Sequence, residues 1–326
     1  MSPVFGKKKR EESTVAILDI ESGSIGAGLV RISSKNKPKL FGQERKRLNV
    51  RGAPTASALL KEIEKELHHS LLHVSTVAAR MRTHSPLSGV GEVDRIAVFL
   101  HSPWVASEIK LEKVLPRAHD STLDLLRTSV EDIFDTIPTT FHAFSATATP
   151  VVHGLFNEPQ AALVCTIGGE VAELSLLKGG MLHGHATIPV GFNTILRTLE
   201  THAGISRPEA ISAISLARST RELEWAEALT HAIKRFTAEM SDATATLNPL
   251  GAQDAQRVFV ISPSPSTEWF ARMFTEDEKI SNLFARGSTV RPVLARHASG
   301  FLASHPASPD LPLLLESLFV DTRFGN

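Results

Sequence analysis

Two short stretches of the chain combine glycine with hydroxyl and carboxyl side chains, a combination suited to phosphate binding. They are residues 19–24, with the sequence DIESGS, and residues 166–170, with the sequence TIGGE. Glycine permits positive φ or a close approach of the backbone to a ligand. Backbone N–H groups at the tip of such a turn can hold phosphate. The candidate phosphate-binding residues in these stretches are Asp19, Ser22, Gly23, Ser24, Gly168 and Gly169.

Both stretches lie at predicted turns between strands. An apolar run at 15–18 predicts a buried strand, and residues 25–32 predict the strand after the turn. The second region predicts a three-stranded meander that ends near Gly191. The evidence is an apolar run at 161–164, an alternation of apolar and polar residues after the glycine pair, and a turn at Lys178–Gly180. Each candidate turn is therefore expected at the tip of a β-hairpin.

The composition indicates a folded protein. The chain has 326 residues, enough for two domains, with 42% hydrophobic and 21% charged residues. The formal net charge of +0 gives no electrostatic basis for binding nucleic acid. The single cysteine, Cys165, excludes an internal disulfide, fits a reducing compartment, and is expected to be a buried structural thiol. We expect no transmembrane helix and no secretory signal.

The rest of the chain predicts alternating helices and strands, from apolar residues at helical spacing or in runs. The predicted helices are 55–75, 121–137, 193–202, 207–217, 221–240, 267–274 and 294–302. Further predicted strands are 39–48, 96–100, 105–111, 139–150, 257–261 and 290–293. Residues 241–256 are predicted to be a polar loop. The apolar segment 311–319 is expected to dock on its own domain.

This order of elements resembles the ATPase fold shared by actin, Hsp70 and the sugar kinases, over nearly the whole chain. In that fold the first hairpin is the phosphate-1 loop, the second is the phosphate-2 loop, and a late strand–turn–helix binds adenosine. The resemblance implies an α/β protein with an actin-like (ribonuclease H-like) two-domain fold and an inserted small α+β subdomain.

Within this superfamily the sequence resembles the FtsA and PilM branch. The segments GMLH at 180–183 and IPVG at 188–191 resemble one motif of these families, and GISRPEAI at 204–211 resembles another. Residues 95–137 lie where these proteins carry their extra subdomain. The opening FGKKK at 5–9 resembles the start of many PilM proteins.

The resemblance implies a site for ATP and Mg²⁺ between the two hairpins. Asp19 matches the aspartate that holds magnesium through water, and Glu209 matches the carboxylate that contacts ribose. The implied nucleotide-binding residues are Asp19, Ser22, Gly23, Ser24, Gly168, Gly169, Gly191 and Glu209. A kinase would also need an acidic general base near the cleft, for which Glu170 and Glu173 are available. No residue is assigned a catalytic role.

Several positions depart from the family pattern. Glu21 stands where the phosphate-1 loop usually has glycine, and it places a negative charge beside the expected polyanion. Thr166 replaces the leading aspartate of phosphate-2, and Glu170 and Phe192 replace glycines. The SPSP sequence at 262–265 replaces a double-glycine turn, and proline removes a backbone N–H. Because phosphoryl transfer depends on metal and positioned donors, we expect weak or lost ATPase activity, and no cofactor if the site is lost.

The expected division of the chain follows the resemblance. Residues 1–13 are expected to be a flexible basic tail, with weak contact to an anionic membrane as the alternative. Residues 14–190 are expected to form the first actin-like domain, with an insertion at about 92–145. Residues 191–302 are expected to form the second domain, and 303–326 a C-terminal tail.

The resemblance implies a cytoplasmic scaffold peripheral to the inner membrane, PilM-like and acting in type IV pilus assembly. Its implied partner is the tail of an inner-membrane pilus-assembly or division protein, bound near 95–137, and self-assembly is a further implied property. An FtsA-like division protein is the alternative. An active ATPase or small-molecule kinase of the same fold, and a structural globular protein of unrelated fold, stay open as other classes.

Overall fold

Two five-stranded sheets of the same topology organise the structure, a computed structural model. It describes residues 12–49, 52, 54–84, 92–110, 113–118, 120–158, 160–216, 226–262, 266–303 and 309–325. The strands in these ranges are β1 (Glu12–Ile20), β2 (Ser24–Ser33), β3 (Lys39–Arg47), β4 (Arg95–Leu100), β5 (Val105–Lys110), β6 (Lys113–Ala118), β7 (Thr139–Ala143), β8 (Ala162–Ile167), β9 (Ala172–Lys178), β10 (Met181–Ile188), β11 (Arg257–Ile261) and β12 (Thr289–Pro292).

Helices connect and cover the two sheets. They are α1 (Ala56–His84), α2 (Asp120–Phe134), α3 (Phe144–Phe156), α4 (Phe192–Ala203), α5 (Arg207–Leu216), α6 (Ala226–Leu247), α7 (Ser266–Glu276), α8 (Glu278–Ser281), α9 (Ala295–Ser299) and α10 (Leu311–Phe324). Two short 3₁₀ helices, Asn248–Leu250 and Ala252–Asp254, follow α6. Among the described residues, no helix is long and apolar enough to cross a membrane.

The two sheets repeat one strand arrangement. The first has the order β3-β2-β1-β4-β7, and the second has the order β10-β9-β8-β11-β12. Each sheet begins with an antiparallel meander of three strands. A fourth strand pairs in parallel with the first strand of the meander, and a fifth pairs in parallel with the fourth. The β5–β6 hairpin and α2 are inserted between β4 and β7. The tips of the first hairpin in each sheet are the two candidate phosphate-binding turns.

Alternating side chains of β1 bury both faces of the first sheet. Ala16 and Leu18 pack with α1 and α2, whereas Val15 and Ile17 pack on the other face with α9 and α10. This alternation is the period of two expected of a strand covered on both sides. Helix α1 presents apolar residues to the sheet at the predicted helical spacing, including Leu59, Ile63, Leu67, Leu71 and Val74.

The second sheet is also covered on both faces. Leu163 and Cys165 of β8 pack with α4, α6 and α7, and Ala162 and Val164 pack with α3. Cys165 is fully buried, as predicted, and its burial raises the pKa of the thiol. Both faces of the sheet are therefore closed, and the polar groups that remain for function lie at the carboxyl ends of β1 and β8.

Two secondary-structure predictions are wrong. Residues 139–150 do not form one strand, because β7 ends at Ala143 and α3 begins at Phe144. The Thr149 hydroxyl there donates 2.5 Å to the Ser145 carbonyl, so a β-branched residue is accommodated within a helix. Residues 241–256 are not one loop either, since α6 continues to Leu247 and buries Thr244, whose hydroxyl donates to the Met240 carbonyl.

The expected boundary at residue 190 divides one sheet. Strands β8, β9 and β10 precede it but pair with β11 and β12, so the second sheet begins at Ala162. The physical reason is that β8 pairs with β9 on one edge and with β11 on the other, so its backbone groups are hydrogen bonded only when β11 belongs to the same sheet. The C-terminal segment is also more than a tail. Helix α10 packs on β1, β2 and α3 and buries Leu313 and Leu315, so the segment 311–319 is docked as expected, but on both halves of the chain and not on a single domain.

Candidate functional site

The tips of the two hairpins contact each other directly. The Ser22 Oγ of the first tip accepts hydrogen bonds from the backbone N–H groups of Glu170 (3.0 Å) and Val171 (3.2 Å) in the second. The Glu21 carboxylate accepts a further one from the N–H of Gly169. Three backbone donors of the second tip are thus bonded to side chains of the first.

Glu21 is the buried centre of this contact. Glu21 is only 5% exposed. Its carboxylate also accepts hydrogen bonds from the hydroxyls of Ser22 and Ser24, each at 2.9 Å. A buried carboxylate is tolerated when its oxygens are hydrogen bonded, and here three donors surround it. The Glu21 carboxylate therefore binds the turn N–H that the sequence suggested for phosphate.

The two tips approach so closely that only glycine fits. A Cβ placed on Gly23 would lie 2.7 Å from the Gly169 Cα, closer than real Cβ atoms come to other atoms. The same Cβ would lie 3.1 Å from the Asn193 side-chain amide nitrogen. Glycine at these positions is used for close backbone contact between the two halves of the chain.

The N-terminus of α4 is fixed to the second tip. The N–H groups of Phe192 and Asn193 donate to the carbonyls of Gly168 (2.8 Å) and Gly169 (2.7 Å). A Cβ on Gly191 would lie 2.5 Å from the Gly169 carbonyl oxygen, so this glycine too permits the contact. Two of the N–H groups that a helix start leaves without an internal partner are therefore satisfied by the turn itself.

Asp19 at the end of β1 is fully buried and contacts the Arg45 guanidinium and the His101 imidazole. Its Oδ2 accepts from Arg45 Nη2 at 2.5 Å, and its Oδ1 lies 2.6 Å from His101 Nε2. Burial by itself would raise the pKa of Asp19, but the neighbouring His101 and Arg45 outweigh it and hold the pKa well below its usual range. Arg45 also binds Asp310 through Nε (2.5 Å) and Nη2 (2.9 Å), which links β3 to the start of α10.

A second buried carboxylate, Glu173, lies on the other side of His101. His101 Nδ1 is 4.0 Å from one of its oxygens, and the other accepts 2.7 Å from the Ser102 N–H and lies 3.6 Å from His185 Nε2. The His101 ring stacks on Phe144 with ring centroids 4.0 Å apart. Burial, the largest single influence, lowers the pKa of His101, but the Asp19, Glu173 and Glu21 carboxylates together raise it more, so the net shift is upward.

Glu316 of α10 completes the cluster. It is fully buried, and neither of its carboxylate oxygens has a hydrogen-bond partner within the part of the chain that the structure describes. Burial, followed by the nearby Asp19 carboxylate, raises its pKa well above the usual range. One ligand atom each from Asp19, His101 and Glu316 lie within 4.8 Å of one another, an arrangement able to hold a metal ion.

Most predicted site residues meet at the hairpin tips, but some have other roles. Those at or beside the tips are Asp19, Ser22, Gly23, Ser24, Gly168, Gly169 and Gly191. Glu209 is exposed and caps α5, where it accepts from the Ser206 N–H (2.7 Å) and hydroxyl (2.6 Å), and these bonds lower its pKa. Glu170 is bonded to Arg197 at 2.7 and 2.9 Å and to Asn193 at 2.8 Å, so its oxygens are already engaged.

Parts of several sequence interpretations lie outside the described residues. They include the tail at 1–11, residues 221–225 of the predicted helix 221–240, the turn residues 263–265, and residues 304–308 of the expected C-terminal tail. Flanking that turn, the hydroxyls of Ser262 and Ser266 are hydrogen bonded at 2.8 Å.

Sequence reasoning missed Arg45, His101, Asp310 and Glu316. A signal existed for two of them. His101 directly follows the predicted strand 96–100, at the sheet edge where Asp19 also ends its strand, and Glu316 is the single charge within LPLLLESLFV. Arg45 lies in a heavily charged strand, and the sequence alone does not show which of its charged side chains points toward the protein interior.

The residues present do not fit a nucleotide phosphate between the tips in this conformation. The Gly169 N–H is bonded to Glu21, and those of Glu170 and Val171 are bonded to Ser22. A phosphate at the same place would have to displace a buried carboxylate. Negative charge on both groups makes their simultaneous presence unfavourable.

No protein-family model matches the chain, and no curated protein matches it in sequence. Solved structures do match it. A PilM–PilN type IV pilus biogenesis complex superposes with a TM-score of 0.62 at 14% identity, covering 98% of this chain and 100% of that one. MreB 5 of Spiroplasma citri bound to AMPPNP gives 0.53 at 11% identity, covering 95% and 97%. The ethanolamine utilization protein EutJ from Carboxydothermus hydrogenoformans gives 0.52 at 12%, covering 94% and 89%.

These structures share the actin-like ATPase fold, and the chain has that fold as well. The predicted α/β actin-like architecture is therefore confirmed. At 11–14% identity the similarity establishes the fold alone.

Proposed function

We propose that this chain is an actin-like scaffold, PilM-like in type IV pilus assembly, with weak or lost ATPase activity. The observation that carries the proposal is the Glu21–Gly169 hydrogen bond at the position where the fold would place phosphate. The carboxylate supplies from within the chain the negative charge that the turn is built to accept. A protein whose cleft is closed in this way acts through its surfaces.

Asp19 supports the same conclusion. In the resemblance this residue would hold magnesium through water, but here Arg45 donates to its Oδ2, which leaves only Oδ1, beside His101, for any cation. No catalytic step through ATP is derived, because the residues that would bind its phosphates are bonded to one another.

The partner we propose is the cytoplasmic tail of an inner-membrane pilus-assembly protein. The similarity to PilM in the PilM–PilN complex extends over nearly all of both chains, which favours this partner over a division protein. Residues 95–137 are the proposed contact region, as the resemblance implies. The protein would then lie in the cytoplasm, peripheral to the inner membrane, and self-assembly stays a further proposal.

Calorimetric titration of the full chain with ATP and Mg²⁺ tests the loss of nucleotide binding. We expect no saturable binding below about 1 mM, which corresponds to a binding free energy weaker than about −4 kcal/mol. The matched variant is Glu21→Gly, which removes the carboxylate and restores the residue usual at this position. A gain of ATP binding in this variant alone supports the proposal, whereas micromolar binding and turnover by the wild type overturn it.

Fluorescence anisotropy tests the partner separately. Labelled peptides from the cytoplasmic tails of inner-membrane pilus-assembly and division proteins of the same organism are titrated with the chain, with scrambled peptides as controls. Saturable binding of the pilus peptide supports the proposed partner. Binding of the division peptide instead overturns the pilus assignment and leaves the scaffold proposal standing, and binding of neither overturns both.

A further inference from the structure

We propose that Asp19, His101 and Glu316 form a buried site for one divalent transition-metal ion, which ties helix α10 to strands β1 and β4. The three residues come from separate parts of the chain, and their ligand atoms converge within 4.8 Å. All the ligands are protein side chains, so this site requires no nucleotide. The inference does not depend on the proposed scaffold function.

The burial of Glu316 is the strongest reason for a ligand. The residue is fully buried, and its carboxylate oxygens accept no hydrogen bond from the described residues. The Asp19 carboxylate is its neighbour, and Glu316 can donate a hydrogen bond to it only when Glu316 is protonated. An ionised carboxylate in such surroundings is strongly unfavourable unless a proton or a cation compensates it. Because the side chain points into a cluster that contains Asp19 and His101, one compensating group would serve all three.

The charges around the site leave room for a cation. Arg45 is hydrogen bonded to both Asp19 and Asp310, so one positive charge is shared by two carboxylates. With Glu316 ionised, the three carboxylates would exceed the charge of Arg45 by two negative charges beside one imidazole. A divalent ion bound between Asp19 and Glu316 balances both charges within the low-dielectric interior.

The His101 imidazole has a carboxylate near each of its two ring nitrogens. His101 Nε2 faces Asp19 Oδ1 at 2.6 Å, and Nδ1 lies 4.0 Å from the Glu173 Oε2, which itself has no hydrogen-bond partner among the described residues. The 4.0 Å separation is longer than a hydrogen bond, but the negative charge of Glu173 beside Nδ1 favours a proton on that nitrogen. Nε2 can then bind a metal once any proton it shares with Asp19 is displaced. The stack on Phe144 holds the ring plane.

The donor set indicates the class of metal. Imidazole with two carboxylates suits Zn²⁺, Mn²⁺ or Fe²⁺, whereas Mg²⁺ and Ca²⁺ favour sites of oxygen ligands alone. Protons are the competing occupants, with His101 protonated toward Asp19 and Glu316 neutral. A bound metal would displace them, so metal binding must release protons.

The test uses the full chain after treatment with EDTA and dialysis. Calorimetric titrations with Zn²⁺ and with Mn²⁺ are run in two buffers of different ionisation enthalpy, and thermal melts are recorded with and without metal. We expect one ion per chain for at least one of these metals, and a melting temperature that rises with metal concentration. The binding enthalpy should differ between the two buffers, because protons are released when the metal binds. Absence of saturable binding of both metals overturns the proposal.

Matched variants locate the ion. Glu316→Gln and His101→Asn are expected to lose saturable binding, and Glu173→Gln to weaken it by about 10–100-fold. The control is His69→Asn, which removes an exposed histidine of the i, i+4 pair with His73, the obvious competing surface site. Binding that persists in Glu316→Gln but disappears in His69→Asn overturns the buried site.

A spectroscopic measurement keeps the test independent of variant folding. Co²⁺ added to the wild-type chain is expected to give visible absorption bands and paramagnetically shifted proton NMR signals from one coordinated imidazole. Addition of Zn²⁺ should displace Co²⁺ and abolish both signals. If no imidazole signal appears, His101 is not a ligand and the proposal fails. If Glu316→Gln melts at a higher temperature than the wild type in every metal concentration, a proton is the occupant and the proposal also fails.

Discussion

The Glu21 carboxylate accepts a hydrogen bond from the backbone N–H of Gly169, and this bond joins the tips of hairpins from two different sheets. The same carboxylate accepts from the hydroxyls of Ser22 and Ser24. Glu21 is therefore a structural connection between the halves of the chain. Removing it must affect the stability of the contact as well as any ligand.

Glu21→Ala is expected to destabilise the protein by about 2–3 kcal/mol, because the buried Gly169 N–H and two hydroxyls lose their acceptor. The measurement is urea unfolding, followed by circular dichroism and by tryptophan fluorescence. The control is Glu64→Ala on the exposed face of α1, where we expect a change within about 0.5 kcal/mol. Equal effects of the two variants would contradict the role given to Glu21.

The sequence was sufficient to predict the hairpins but not their contact. Glycine-bearing turns and apolar runs are local signals, and they located the tips at Asp19–Ser24 and Gly168–Gly169 correctly. The sequence also identified Glu21 as a departure that opposes phosphate. It could not indicate that this carboxylate would bond to the Gly169 N–H, since that contact joins residues 148 positions apart.

Helix α3 and Glu316 were not predictable for different reasons. Residues 144–150 are rich in threonine and alanine, a local preference that favours neither state, and packing of Phe144, Ala148 and Val152 against the second sheet decides for helix. The lone charge of Glu316 was visible in an apolar segment. The residues near it, however, are Asp19 on β1 and His101 directly after β4, and no local pattern identifies residues so distant in the chain.

Arg45→Met is expected to destabilise the protein by about 3–5 kcal/mol, because it leaves the largely buried Asp19 and Asp310 without their shared cation. Arg45→Lys keeps the charge but lacks the planar fork, so an intermediate loss is expected. Chemical denaturation of the wild type, Arg45→Lys and Arg45→Met at neutral pH measures the order of their free energies of unfolding. Lys46→Met, on the same strand but exposed, is the control and should have little effect. If lysine restores full stability, the geometry of the fork is unimportant.

Leu315→Ala is expected to cost about 2–5 kcal/mol, because α10 belongs to the cores of both halves. Leu315 is fully buried among residues of α3 and the second sheet, whereas Leu313 of the same helix packs on the first sheet. Thr322→Ala, exposed on the same helix, is the control and should change the stability by about 0.5 kcal/mol or less. A helix that served mainly as a membrane-binding segment would tolerate both substitutions, so equal stabilities would contradict its role in the core.

Acid should destabilise the protein partly through His142. Burial, followed by the charge of Arg323, lowers the pKa of His142 to about 4. The ring stacks on Phe99 at 5.3 Å and meets the edge of Phe319 at 5.2 Å. With the folded pKa below the unfolded value, the unfolded state binds more protons between the two, so stability falls as the pH decreases from about 6.5 to 4. Because the ring is only half-buried, we expect a loss of about 1–2 kcal/mol, less than the full linkage value.

The His142→Phe variant separates this contribution from other acid effects. It keeps an aromatic ring between Phe99 and Phe319 but has no group that titrates, so its stability should fall less than that of the wild type between pH 7 and 4. Thr140→Val removes the hydroxyl 3.1 Å from His142 Nε2 and leaves the imidazole, so it should retain the wild-type slope. NMR titration of the imidazole measures the pKa directly. A value near 6.5 in the folded protein would show that the ring is not shielded as the packing implies, and the slopes of wild type and His142→Phe would then coincide.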